Sequence, residues 1–304
     1  MPAARVDCVS VDLGKTKVRL RRYGMTPRWE AVGDGAPGLA DVGGPAASAA
    51  SILNALATQT DATIGSVGCW SVGAAGAAIT PTAASELAGR LRAALGAPVI
   101  VTSDMVTAHV GATGGLAGTL LIAGTGAVAL RVAVDGRTTR SDGWGPHLGD
   151  EGSGRWVGQR GLNAALRAAD GRGPRTELQH RAVHFSGGLD ALPGMTSGPD
   201  AAARLAAFAP VVLAAAAAED EVAMTIVREA TRALAVTSAS VRSEDSTVYA
   251  TGGLTENPLF RAELHAALKV QGLELKSPCG DALDGAAVLA AHTDLPVERL
   301  VVRV

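Results

Sequence analysis

Two adjacent acids inside a glycine-rich stretch are the residues in this sequence best placed to do chemistry. Gly143-Trp-Gly-Pro-His-Leu-Gly-Asp-Glu-Gly-Ser-Gly-Arg-Trp-Val-Gly158 packs six glycines and the pair Asp150–Glu151 into sixteen residues. It then runs into an alanine-rich helical pattern over Gln159–Ala169. Glycines at this density let backbone approach a ligand and reach positive φ. Neighbouring carboxylates in such a loop can bind sugar hydroxyls or hold a hydrated cation. They can equally cap a helix N-terminus, where the dipole favours negative charge.

Two other glycine turns share a pattern. Val6–Val11 reads as a strand, and Asp12-Leu-Gly-Lys-Thr-Lys-Val-Arg-Leu20 as a tight turn into a second strand. Gly14 exposes backbone donors, Thr16 adds a hydroxyl, and Asp12 can bind magnesium through water. An ordinary hairpin would use the same residues. Leu120–Ala123 reads as a strand, Gly124-Thr125-Gly126 as a turn and Ala127–Val134 as a return strand. The strand–turn–strand unit therefore occurs twice, about one domain apart, which fits two similar α/β halves facing a cleft. A short strand, Val99–Thr102, ends at Ser103–Asp104, where a helix begins; capping is the plain reading of Asp104. Val248–Thr251 is a strand ending at Gly252-Gly253, and Asn257-Pro258 opens the next helix.

Other elements must hold these loops. Gly33–Pro45 reads as a loop, Ser51–Gln59 as helical, Ile64–Val72 as a buried strand followed by a loop over Gly73–Gly76, and Pro81–Leu95 as an amphipathic helix. Gly111–Gly118 reads as a flexible linker at a domain boundary, and Gly136–Asp142 as a polar hairpin. Ala201–Ala239 reads as two helices broken near Glu219–Glu221, and Ser277–Ala287 as a loop into a final alanine-rich helix. His180 and His184 lie four apart on a helix, but with no third ligand nearby they read as a solvated face.

Composition narrows the function classes. The chain has 304 residues, enough for two domains. Apolar residues make up 47% but aromatics only 3%, so the core must be built of Ala, Val and Leu. A net charge of −2 gives no basic field for nucleic acid. Cys8, Cys69 and Cys279 are scattered and odd in number, as expected of structural thiols in a reducing cytoplasm. No secretory leader is read at the start. The longest apolar stretch, Phe208–Ala218, contains Pro210 and is too short to span a bilayer.

Together these residues resemble a family. In order they are Asp12-Leu-Gly-Lys-Thr-Lys-Val-Arg19, Ser103-Asp104, Ala123-Gly-Thr-Gly126, Gly143-Trp-Gly through Leu148-Gly-Asp-Glu-Gly-Ser153, Thr251-Gly-Gly253 and Gly280-Asp-Ala-Leu-Asp-Gly285. The set is similar to the N-acetylglucosamine kinase branch of the sugar kinase/actin/Hsp70 superfamily, which also holds the BadF/BadG/BcrA/BcrD ATPases. The resemblance implies an α/β fold of two RNase H-like domains, with ATP and a sugar in the cleft between them. The expected divisions are 1–112, 113–284 and a C-terminal segment, 285–304, packing back on the first domain.

The resemblance also assigns roles. Asp12, Gly14, Lys15 and Thr16 would form one phosphate loop, with Asp12 holding Mg2+ through water, and Gly124, Thr125 and Gly126 a second. Gly252 and Gly253 would let adenosine lie against the backbone. Asp104 would be the catalytic base. Ser103, Asp104, Thr125, Gly143, Trp144, Gly145, His147, Asp150 and Glu151 would line the sugar. Expected partners are ATP and a small sugar, with a homodimer implied and neither nucleic acid nor membrane.

Two departures bear on the sugar. Ser103 stands where the family has Asn, and the loop Gly43-Gly-Pro-Ala-Ala47 lacks the Asn of Gly-Gly-Pro-x-Asn. His147 and Ser71 are candidates to replace that amide. N-acetylglucosamine is the family default, and glucosamine is the alternative. Two other functions remain open. An ATPase activator of a CoA-ester reductase or dehydratase would need thiolates placed for an iron–sulfur cluster. A sugar-sensing regulator usually carries an added DNA-binding domain, for which no room is expected before residue 6.

Overall fold

The computed structural model describes residues 7–24, 29–59, 67–78, 80–198, 200–242 and 246–304. Two compact units emerge, one of Met1–Ala117, Val132–Thr138 and Pro278–Val304, the other of Gly118–Arg131 and Thr139–Ser277.

The first unit contains β1 (Cys8–Leu13), β2 (Lys17–Tyr23), β3 (Glu30–Asp34), α1 (Gly44–Ala57), β4 (Cys69–Ala74), α2 (Pro81–Leu95), β5 (Val99–Ser103) and α3 (Asp104–Thr113). The second contains β6 (Gly118–Ala123), β7 (Ala127–Val132), β8 (Thr138–Asp142), α4 (Gly154–Ala169), α5 (Leu178–Ser186), α6 (Ala201–Ala206), α7 (Ala209–Ala217), α8 (Glu221–Ser240), β9 (Thr247–Thr251), α9 (Pro258–Val270) and β10 (Glu274–Lys276). The chain then returns to the first unit with α10 (Ala282–Ala291) and β11 (Val302–Arg303).

The first sheet runs β11-β5-β4-β1-β2-β3 and the second β10-β9-β6-β7-β8. In the first, β1 pairs antiparallel with β2 and parallel with β4, and β4 pairs parallel with β5. In the second, β6, β9 and β10 are parallel. Apart from the extra edge strand β11, the orders match position for position, so the fold is a duplicated RNase H-like α/β arrangement. β1 is buried along nearly its whole length, as a parallel-sheet strand with helices over both faces should be. β2, nearer the edge, alternates instead: Val18, Leu20 and Arg22 are buried. Arg22 is tolerated there because its guanidinium grips both carboxylate oxygens of Asp7 at 3.1 Å.

Three readings need correction. Ser51–Gln59 catches only the second half of α1, which begins at Gly44 and ends at Ala57. Gly43 takes a left-handed φ of 73° as N-cap and Pro45 sits in the first turn, where its missing N–H costs nothing. The run Ala46–Ala50 has helix propensity but no polar contrast, so it showed no period. Second, Gly111–Gly118 is not a linker. α3 continues to Thr113, and Gly118 already belongs to β6. Gly111 is a contact residue: a Cβ there would lie 1.9 Å from the Asp281 carbonyl, and one at Gly285 1.9 Å from the Thr107 carbonyl. Glycine at both positions lets α3 and α10 cross backbone to backbone. Third, Ala201–Ala239 forms three helices, because a break before Pro210 joins the one at Glu219–Asp220. The start of the strand read over Ile64–Val72, and Val6 of the first strand, lie outside the described residues.

Candidate functional site

In the first unit, the parallel strands β1, β4 and β5 bring their carboxyl ends level, and the candidate residues Asp12, Ser103 and Asp104 lie there. Asp12 of β1 is level with Gly73 of β4, and Gly73 with Thr102 of β5. Gly73 has a reason to be glycine, since a Cβ would lie 2.2 Å from the Thr107 hydroxyl and push α3 off the sheet. Beyond Asp12, the Gly14 N–H donates to the Lys17 carbonyl at 3.0 Å and closes the turn. Gly14 therefore spends its own donor internally. The donors the turn can offer outward are those of Lys15 and Thr16, both exposed. Gly35, read only as part of a loop, buttresses this turn: a Cβ on it would lie 2.5 Å from the Lys15 carbonyl oxygen.

Asp12 is paired. Arg19 donates to its Oδ2 from Nη2 at 2.7 Å and from Nε at 3.2 Å, and reaches Asp281 at 3.5 Å. Asp281 in turn N-caps α10, in a capping box with Asp284. Arg19 thus ties β1 to the C-terminal helix.

Asp104 opens α3, but it is not the cap. The Ser103 hydroxyl accepts from the Val106 N–H at 3.2 Å, and Asp104 Oδ1 accepts from the Met105 N–H at 2.8 Å. Burial raises the Asp104 carboxyl above the ordinary aspartate range, the nearby Asp12 charge pushes the same way, and the Met105 bond opposes both. Ser103 is buried with its oxygen used by the cap, which leaves its own proton to donate.

In the second unit, Gly124-Thr125-Gly126 turns between β6 and β7, closed by the Gly124 N–H on the Gly126 carbonyl at 3.0 Å. Two other loops lock onto this turn. Gly252, at φ 106°, lies so close that a Cβ would come within 2.5 Å of the Ala123 carbonyl. Gly253 faces open space. The acid loop bonds the same turn through Gly154 N–H to Gly124 O at 2.8 Å and Arg155 N–H to Thr125 O at 3.1 Å. Asp150 Oδ1 accepts from the Ala127 N–H at 3.3 Å. Burial raises the Asp150 carboxyl, and the Ala127 N–H and the Arg155 charge lower it against the raising charge of Asp142.

Ser153 caps α4 by accepting from the Trp156 N–H, so Asp150 and Glu151 are not that helix's caps. Gly143 and Gly145 have φ of 72° and 87°. Trp144 is 68% exposed beneath the Arg140 guanidinium, and His147 and Glu151 are exposed too. Asp142, read only as the end of a hairpin, belongs to this loop: its carboxylate accepts from the Asp150 N–H at 2.7 Å and the Glu151 N–H at 2.9 Å. The signal was an Asp immediately before Gly143-Trp-Gly.

The structure therefore gathers Asp12, Gly14, Lys15, Thr16, Ser103 and Asp104 at one sheet end. It gathers Gly124–Gly126, Gly143–Gly145, Asp150, Glu151 and Gly252 at another. Ser71 does not join either; it is fully buried within β4. Ala47 lies in the first turn of α1, not in a loop. Cys8 and Cys69, remote in sequence, are level neighbours on β1 and β4, and both are free thiols. His180 and His184 are exposed on α5, and among the described residues no group of three or more His, Cys, Asp or Glu is placed to hold a metal. No single helix among the described residues is long and apolar enough to cross a membrane.

The family model described as the BadF/BadG/BcrA/BcrD ATPase family matches residues 11–290, which include every loop above. The chain belongs to that family. This ATPase family member is 38% identical over 87 residues to the N-acetylmuramic acid/N-acetylglucosamine kinase of Clostridium acetobutylicum, a match covering 29% of this chain and 28% of that protein. It is 46% identical over 68 residues to the N-acetyl-D-glucosamine kinase of Dictyostelium discoideum, covering 22% and 21%. These matches thus span about a quarter of each curated relative. Among solved structures, a Chromobacterium violaceum protein assigned as an N-acetylglucosamine kinase superposes with a TM-score of 0.77 at 26% identity, over 94% of this chain and 99% of that one. A ROK family glucokinase from Streptomyces griseus, solved with glucose and AMPPNP, shares the fold at a TM-score of 0.58 and 15% identity, over 93% and 98%.

Proposed function

We propose that this ATPase family member is a cytoplasmic sugar kinase that transfers the γ-phosphoryl group of ATP to a hydroxyl of an amino sugar, N-acetylglucosamine or glucosamine, giving the 6-phosphate. The observation that carries the reading is Asp104, a partly buried carboxylate that has been relieved of capping by Ser103 and raised in pKa. A carboxylate poised above its ordinary range is suited to accept a hydroxyl proton. The curated relatives' names support the substrate class, and the likeness to a glucokinase fold solved with glucose and AMPPNP supports the pairing of sugar and nucleotide.

Phosphoryl transfer asks for positioning and charge neutralisation more than covalent help. The exposed donors of Lys15 and Thr16 and the Gly124–Gly126 turn would bind phosphate oxygens. The tight fit of Gly252 against Ala123 would set the height of the backbone under adenosine. Asp150 and Glu151 would bind sugar hydroxyls. Asp12 suits magnesium: it is one carboxylate, its charge acts on the nearby Asp104 carboxyl, and its cationic partner Arg19 is shared with Asp281. Magnesium held there through water would neutralise phosphate charge. Asp104 would take the proton from the attacking hydroxyl. A homodimer is part of this reading and would show as twice the chain mass in light scattering.

The test is ADP release with N-acetylglucosamine, glucosamine, glucose, mannose and muramic-type sugars. At least one amino sugar is expected to stimulate turnover well above the sugar-free rate. If ATP binds but no sugar stimulates, the proposal fails.

A further inference from the structure

The acid loop is held by a residue outside its motif. Among the described residues only three non-glycines adopt positive φ: Asp142 at 61°, Asp150 at 57° and Glu219 at 64°. Two of the three are in this loop, and the first holds the backbone of the second. Asp142 Oδ1 accepts from the Asp150 N–H and Oδ2 from the Glu151 N–H, at 2.7 and 2.9 Å. The loop wraps this carboxylate so closely that a Cβ at Gly149 would lie 2.3 Å from Asp142 Oδ1. From the other side, the buried Arg155 donates to the Gly149 carbonyl at 2.7 Å. A left-handed aspartate is costly unless its surroundings impose the conformation. Here a charge-assisted pair of hydrogen bonds imposes it on Asp150. In that conformation the Asp150 carboxylate turns back onto the Ala127 N–H, beside Gly126, whose Cβ position is 3.0 Å from Asp150 Oδ2.

We propose that Asp142 is the positioning residue of the acid loop: by clamping the Asp150 and Glu151 amides it fixes the Asp150 carboxylate for the sugar, and it acts on the reaction only through Asp150. This rests on the reading of the loop as sugar-binding. A merely structural anchor would change stability alike in any background. A residue acting through Asp150 loses its effect once Asp150 is gone.

The experiment uses the full-length wild type, Asp142→Ala, Asp142→Asn, Asp150→Ala and the double Asp142→Ala/Asp150→Ala variant. Steady-state kinetics with the best sugar is paired with amide hydrogen exchange of the unliganded proteins. Asp142→Ala should lower kcat/KM for the sugar by roughly 10- to 100-fold, the scale of losing charge-assisted hydrogen bonds. The loss should appear mainly as a raised sugar KM, with the ATP KM little changed. Asp142→Asn, which keeps one acceptor, should recover part of it. On the Asp150→Ala background, Asp142→Ala should cost less than about threefold. Exchange at the Asp150 and Glu151 amides should be faster in unliganded Asp142→Ala than in unliganded wild type. Fully additive losses in an active kinase, or unchanged exchange at those amides, would overturn the proposal alone. A wild type that turns over no sugar would overturn the kinase reading, and the proposal with it.

Discussion

Asp104→Asn keeps the atoms that close the first turn of α3 and removes only the charge. The amide oxygen can still accept from the Met105 N–H, and the cap stays with Ser103. If Asp104 takes the hydroxyl proton, losing it should lower kcat about 10²–10⁴-fold. At about 1.4 kcal/mol per tenfold, that is roughly 3–5 kcal/mol of barrier. Stability should move the other way. Burial and the Asp12 charge hold the Asp104 carboxyl above its ordinary range, so the folded chain keeps this proton to higher pH than the unfolded chain does. Stability therefore falls as pH rises through the interval between the two pKa values, and the cost is fully present above it. Asparagine carries no such cost. Asp104→Asn should be at least as stable as wild type at neutral pH, with the difference vanishing in acid below the ordinary aspartate range. The assay is kcat for the best sugar alongside thermal melts from pH 3 to 8, an interval chosen to bracket about pH 3.9, the ordinary aspartate value. Wild-type kcat in the variant would refute the assignment of the base. A variant markedly less stable at neutral pH would show that the charge is held for structure.

Asp12→Ala should weaken the dependence of activity on magnesium and reduce binding of magnesium–nucleotide in titration calorimetry more than that of free nucleotide. Equal losses for both would remove Asp12 from the metal. Gly252→Ala places a Cβ against the Ala123 carbonyl at a φ of 106°, so it should cost about 1–3 kcal/mol in denaturant unfolding and raise the ATP KM; a wild-type melt and KM would refute the close approach. Ala47→Asn should shift kcat/KM toward N-acetylglucosamine over glucosamine, because an amide offers both a donor and an acceptor that a methyl lacks. An unchanged ratio would take residue 47 away from the sugar.

The sequence was most readable where turn chemistry is local. The Asp12–Leu20 hairpin, the Gly124–Gly126 turn and the strand ending at Gly252 lie where their glycines and flanking β-branched residues suggested. Pro81–Leu95 was readable to the residue, because Pro81 starts the helix and Gly96 ends it in a left-handed conformation. What was hidden depends on contacts far apart in the chain. Gly111 looked like a linker because nothing local shows that α10 will press on it, about 170 residues later in the sequence. Asp142 looked like a hairpin end because its partners are amides eight and nine residues on. Cys8 and Cys69 looked remote because parallel register cannot be read from spacing. Ser71 suited a sugar contact by type, but the packing of β4 closes it off.

The destination of the γ-phosphate tests the central claim most directly. ATP labelled in the γ position is incubated with the protein, magnesium and each amino sugar, and the products are separated as sugar phosphate and inorganic phosphate. The kinase account predicts that the label appears in an amino sugar 6-phosphate, in step with ADP, and that Asp104→Asn slows this transfer about 10²–10⁴-fold. Label found only as inorganic phosphate, at a rate indifferent to every sugar, would contradict it and mark the protein as an ATPase of another kind.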